Sequence, residues 1–367
     1  MNILAATMCL LQTPTPVAAP VDPLLEACRT AARYSAEREG HSFLVWRDEL
    51  IVFEDYPNGN GPDVAHPLAS GTKSFWGVAA MCAVADGMLT LDESASATLT
   101  EWKDDPRRSK IEVRHLLNLS CGLEPSHELL HGARTRDKYA AALTVPAISE
   151  PGAVFRYGPA AYFAFGALLE RKLFERREDP LAYLERRVLK PIGLSYARWT
   201  RDAEGQPALP HGAFLTAREW AKFGAFLVRG GRPAPEVEPI LEPQLLAQCF
   251  EPSSANPRYG LTFWLGFDAE SDVTDGPLAK RLLKERTERE IAKLDSALFA
   301  SFPKDFAMAA GKGKQRLYLF PSWKLVVVRQ GDSDAEFSDI AQLAPIIQAL
   351  APRTQPPPIK RQQDREE

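Results

Sequence analysis

Cysteine is scarce in this chain, with 5 in 367 residues, and histidine nearly as scarce, with 6. Cys9, Cys28, Cys82, Cys121 and Cys249 lie too far apart for a zinc ribbon, and their spacing supplies no disulfide framework. Cys82 stands in an apolar stretch and reads as a small buried hydrophobe. An excess of either charge is lacking too: 44 Lys and Arg are interspersed with 48 Asp and Glu, a net charge of -4. That balance offers no basic face to a nucleic-acid backbone. Nowhere after the N-terminus does the sequence approach the roughly 18 continuous apolar residues of a membrane span. Two common nucleophile and phosphate motifs are missing as well. Asn118 to Gly122 lacks the first Gly of a Gly-x-Ser-x-Gly elbow, and Gly311 to Lys314 lacks the flanking residues of a phosphate loop.

What is present is an ordinary globular composition, 45% hydrophobic and 25% charged, in a chain long enough for one large or two interlocked domains. Residues 1–20 have an apolar run and then a Thr/Pro-rich stretch resembling a short secretory signal, which predicts a periplasmic or secreted protein. The run has no preceding Lys or Arg, so a cytoplasmic location stays open as the alternative.

Asp22 and Pro23 open a helix over 22–37. Phe43 to Trp46 and Leu50 to Phe53 form a β-hairpin around Arg47-Asp48-Glu49. Helical spacing then dominates: after Ser70, at 115–120, at 160–176 and at 216–231. Strand signals return at Gly260 to Leu265, Arg316 to Phe320 and Leu325 to Arg329, before a closing helix from about Glu336 to Leu350. The mixed-charge run 279–295 reads as a solvated helix. This order predicts an α+β fold: an antiparallel sheet from 21–69 and 236–352, flanked by terminal helices, with an inserted mainly helical part at 70–235 and a disordered tail at 353–367.

The chemistry centres on ASGTKSFWG at 69–77. Ser70 and Lys73 are spaced i, i+3, which on a helix puts them roughly 5 to 6 Å apart at Cβ. The helix they open is apolar nearly all round, so Lys73 is expected to be buried, and burial favours the neutral amine that can take a serine proton. Tyr157 precedes Pro159 at the start of another helix, where the dipole and a nearby Lys73 favour phenolate. Trp76 either lines the pocket or packs in the core. His115 reads as a capping or core residue.

Together with ADGMLTLDE (85–93), IEVRHLLNLSCGL (111–123), FRYGPAAYFAFGALLE (155–170), LKPIGL (189–194) and AAGKGKQRLYLFPSWKLVVVRQG (309–331), this segment resembles the β-lactamase-related serine hydrolases. That superfamily includes class C β-lactamases, D-Ala-D-Ala carboxypeptidases, esterases and aminohexanoate-oligomer hydrolases. The resemblance implies a β-lactamase/transpeptidase-like fold and acyl transfer with no metal or organic cofactor. It implies Ser70 as nucleophile, Lys73 and Tyr157 as proton acceptors, and the backbone N–H groups of Ser70 and Lys312 as oxyanion hole. Trp76, Gly311, Lys312, Gly313 and Gln315 would contact a small ester or amide substrate. The chain departs from the family pattern in two places. Pro159 replaces the Asn of Tyr-x-Asn, and Ala309 replaces the cationic residue of the third motif. Both departures argue against penicillin or D-Ala-D-Ala as the substrate, and the Ala-x-Gly third motif with Gln315 resembles the esterase and aminohexanoate-oligomer hydrolase branch. The alternatives are a β-lactamase or D-amino-acid-specific peptidase, with Lys312 or Lys314 as a shifted anchor, and a catalytically inactive binding homologue.

One rival remains, HELLH at 127–131, which on a helix would aim two histidines at zinc. Pro125 and Gly132 bracket it too closely for a core helix, and a polar loop or short surface helix is the expectation.

Overall fold

The computed structural model describes residues 22–130, 135–266 and 302–351. The leader-like N-terminus, the run 279–295 and the tail 353–367 lie outside the described residues. Nine α-helices are described: α1 (Pro23–Ala36), α2 (Lys73–Ala85), α3 (Val113–Leu117), α4 (Lys138–Thr144), α5 (Ala160–Leu173), α6 (Pro180–Leu184), α7 (Ala217–Val228), α8 (Pro243–Ala247) and α9 (Asp339–Leu350). No helix among the described residues is long and apolar enough to cross a membrane.

The expected sheet from both chain ends is there. Strands β1 (Gly40–Arg47), β2 (Leu50–Asp55), β6 (Ala307–Gly311), β7 (Gln315–Phe320) and β8 (Leu325–Gly331) form one antiparallel sheet in the order β2-β1-β8-β7-β6. Asp48 and Glu49 both take positive φ, the two-residue turn that matches strand twist. Alternation along β7 and β8 separates the faces. Leu317 and Val326 meet α7 at Gly224, while Arg316 and Tyr318 bond Asp339 of α9 on the other face. Helix α7, expected with the helical block, therefore covers the sheet, and α1 and α9 pack together on the opposite side.

A second, three-stranded sheet holds β3 (His66–Pro67), β5 (Ala213–Leu215) and β4 (Arg198–Trp199), in that order. Its role is local, since β3 leads directly into Ser70. The strand expected at Gly260 to Leu265 is not formed. Thr262 has φ 74 and the Gly260 N–H closes a turn on Phe263, which breaks the extended run, and Trp264 alone bridges Met308 of β6. Cys28, Cys82, Cys121 and Cys249 are all buried as free thiols.

Candidate active site

The chain enters the site along β3, where His66 pairs with Leu215 and the Leu68 N–H binds the Ala213 carbonyl at 2.9 Å. Ala69 then turns sharply with φ 46, a left-handed conformation that costs a non-glycine residue about 1–2 kcal/mol. One 3₁₀ turn, Ala69–Thr72, carries Ser70 and runs straight into α2. Thr72 Oγ1 accepts the Ala213 N–H at 3.2 Å, so β5 holds the turn from both sides. Ser70 is half-buried, reachable from outside at the positive end of α2.

Lys73 is the first residue of α2 and 3% exposed, as the apolar sequence around it predicts. Its Nζ donates to Ser70 Oγ at 2.9 Å and to the Pro210 carbonyl at 3.0 Å. The amine also lies 4.9 Å from the ring centre of Tyr157 and 5.5 Å from that of Tyr162, within cation–π range of both. No carboxylate among the described residues pairs with it. Burial alone pulls the Lys73 ammonium down from 10.5 to about 7.

Tyr157 lies three residues ahead of α5, whose N-cap is Pro159. A Cβ on Gly158 would come within 2.6 Å of Pro125 Cα, so only glycine lets the two segments approach this closely. The half-buried Tyr157 ring stacks on Trp264 at 5.7 Å, and Phe155 and Tyr259 complete an aromatic wall. Tyr162 and Tyr259 share a buried hydroxyl pair at 3.0 Å, and burial holds both phenols far above 10. Neither can take a proton near neutrality.

Across from Ser70 stands the end of β6. A Cβ on Gly311 would overlap the Leu68 carbonyl oxygen and lie 3.0 Å from Gly71 N, so the strand rests directly on the Ser70 turn. Lys312 follows, exposed, at the start of the hairpin turn to β7. Ala309 is buried in the strand and leaves no cation at that position. Ser70, Lys73, Tyr157, Gly311 and Lys312 are thus brought together.

Three residues expected at the substrate have other contacts. Trp76 is fully buried and packs edge-on against Trp199, because α2 runs through the core and exposes no face there. The Gln315 amide donates to the Gly331 carbonyl at 2.6 Å and its oxygen accepts the Gly331 N–H at 3.3 Å. Gly313 also faces Gly331 and takes φ +82, as its turn demands. These last two brace the hairpin. His115 caps α3, its Nδ1 accepting the Glu112 N–H at 3.1 Å. His127–Leu130 form one 3₁₀ turn with His127 and Glu128 exposed and Leu129 buried, His131 lies outside the described residues, and no cluster of three metal-ligating side chains occurs among the described residues.

Sequence reasoning missed the Pro210 carbonyl and the Tyr162 ring beside Lys73. A main-chain oxygen leaves no residue-type signal, and Tyr162 looks like any core aromatic of α5.

The beta-lactamase family model matches residues 24–287. The chain belongs to the beta-lactamase family. Solved structures share its fold at low identity. EstCE1, a hydrolase with promiscuous acyltransferase activity, is 18% identical with a TM-score of 0.63, covering 89% of this chain and 97% of its own. A candidate 6-aminohexanoate-dimer hydrolase from Bacillus anthracis is also 18% identical, with a TM-score of 0.62 over 89% of this chain and 80% of its own. A beta-lactamase/D-alanine carboxypeptidase from Pseudomonas syringae is 15% identical, with a TM-score of 0.60 over 90% and 99% of the two chains. No curated protein matches the chain in sequence. This beta-lactamase family member is therefore a hydrolase-fold protein of the serine hydrolase superfamily. Neighbours this distant establish its fold and leave its substrate to the site itself.

Proposed function

We propose that the protein is a serine hydrolase that cleaves small esters or amides through an acyl-enzyme on Ser70. The observation that carries the reading is the buried Lys73 amine, 2.9 Å from the accessible Ser70 hydroxyl and neutral above about pH 7. Lys73 and Tyr157 share the Ser70 proton as Oγ bonds to the substrate carbonyl carbon. The Ser70 and Lys312 N–H groups stabilise the oxyanion, and the proton passes to the leaving alcohol or amine as the carbonyl re-forms. Water, deprotonated by the same pair, then attacks the acyl carbon and releases the acid and the Ser70 hydroxyl.

The Asn that Pro159 replaces would hold the lysine with a side-chain oxygen. The Pro210 carbonyl accepts from Lys73 in this chain, so the substitution does not argue for an inactive homologue. Ala309 supports esters and simple amides over substrates that need a carboxylate anchor. One observation favours the second reading, a β-lactamase or D-amino-acid peptidase: Lys312 is exposed immediately beyond Gly311 and can meet a carboxylate. Turnover of p-nitrophenyl butyrate is expected to fall by more than about 10³-fold in Ser70→Ala. Full retention of turnover in that variant would sink the serine reading. A chromogenic cephalosporin turned over faster than the ester would favour the second reading, and an intact wild-type chain unlabelled by a fluorophosphonate would favour the inactive homologue.

A further inference from the structure

Two buried guanidinium groups lie beneath the hairpin turn after β6, and the chemistry above uses neither. Arg316 on β7 and Arg329 on β8 are register partners, 1% and 0% exposed, so two like charges face each other in the interior. Such a pair is costly unless both charges are matched. Arg316 Nε and Nη2 donate to the Asp339 carboxylate, at the first residue of α9, at 2.7 and 3.3 Å. Its Nη1 donates to the main-chain carbonyls of Gly311 at 3.3 Å and Gln315 at 3.0 Å. Arg329 Nη1 donates to those of Gly313 at 3.2 Å and Lys314 at 3.0 Å. The carbonyls of Gly311, Gly313, Lys314 and Gln315 are thereby all drawn toward one side of the turn.

A trans peptide unit is planar, and its C=O and N–H point in opposite directions. With the Gly311 carbonyl drawn to Arg316, the Lys312 N–H of the same unit is turned away from Arg316, toward the outer edge of β6. The Ser70 turn lies against this end of β6, where a Cβ added to Gly311 would meet the Leu68 carbonyl and Gly71 N. We propose that Arg316, held by Asp339, is a positioning residue that fixes the Lys312 N–H as an oxyanion donor through the Gly311 carbonyl. The proposal rests on the acyl-enzyme reading of Ser70 and Lys312. An N–H aimed where charge develops contributes mainly in the transition state, so its misalignment lowers kcat and spares KM.

The test compares Arg316→Lys, Asp339→Asn and Tyr318→Phe with wild type and Ser70→Ala, using p-nitrophenyl butyrate and thermal unfolding. Lysine keeps the charge but cannot span Asp339 and Gly311 together. Asp339→Asn keeps the side-chain shape, and Tyr318→Phe removes a bond to Asp339 without touching the turn. We expect kcat to fall about 10-fold in Arg316→Lys and Asp339→Asn with KM within about twofold of wild type, less than the loss on deleting a donor outright. Tyr318→Phe should lower Tm and leave kcat unchanged. If Ser70→Ala abolishes turnover while Arg316→Lys and Asp339→Asn lose only Tm, the group is a structural ion pair and the positioning role is wrong. Turnover that survives in Ser70→Ala removes the serine reading and this proposal with it.

Discussion

At the residue scale, Lys73 decides how the site responds to pH. Its folded pKa of about 7 lies below the 10.5 of the exposed group, so the unfolded chain binds more protons between those values. Stability should therefore rise with pH from about 7 toward 10, by about 4 kcal/mol from this group at 1.36 kcal/mol per unit over three units. Ester turnover should climb through the same folded pKa as the amine loses its proton. Lys73→Met should remove the turnover and flatten the stability rise, read from urea unfolding at pH 7 and pH 10; an unchanged slope would place the titrating group elsewhere. Ser70 and Lys73 were legible in the sequence because i, i+3 neighbours meet by helix geometry alone, and the apolar residues around them foretold the burial. Pro210, 137 positions away, was not, because only the path of β3 and β5 brings its carbonyl to the amine. For Trp76 the sequence leaves pocket and core both open, because a helix apolar all round does not show which side meets the cleft, and the structure places it in the core.

At the scale of elements, the site is a contact between the β6 edge and the turn into α2. Gly311 sets how close they come. In Gly311→Ala the new methyl must push β6 off Leu68, which should cost about 3 kcal/mol as an overpacked contact and take the Lys312 N–H with it. Turnover should then drop more steeply than KM rises, and a variant with wild-type kcat would show that the two elements need not touch. Hairpin β1–β2, α1, α5 and α7 were readable from capping residues and periodicity. The region 260–265 was not, since its apolar residues pack from a turn and have the composition of a strand. Composition does not distinguish the two when the φ of one Thr decides.

At the scale of the whole molecule, residues from both ends build one sheet, with α1 and α9 against each other on its outer face. A chain ending at Asp332 loses the buried Ile340, Leu343, Ile346 and Ile347 and leaves Arg316 without Asp339. Stranding that charge alone costs about 3–5 kcal/mol, a large share of a domain's stability of about 5–15 kcal/mol. Such a truncation should show no cooperative urea transition by near-UV circular dichroism; a sharp transition at the wild-type midpoint would mean that α9 is dispensable. The sheet was foreseen because strand signals cluster at the two ends, while its coupling to α9 depends on Arg316 and Asp339, which in the sequence look like ordinary surface charges. The Pro210 carbonyl has a last consequence for comparing this chain with its relatives. Every residue type carries a main-chain oxygen, so no single side-chain substitution at 210 can delete the acceptor, and no alignment column can record it. A relative that lacks the motif asparagine should not be scored as inactive until the course of its backbone past the lysine has been traced.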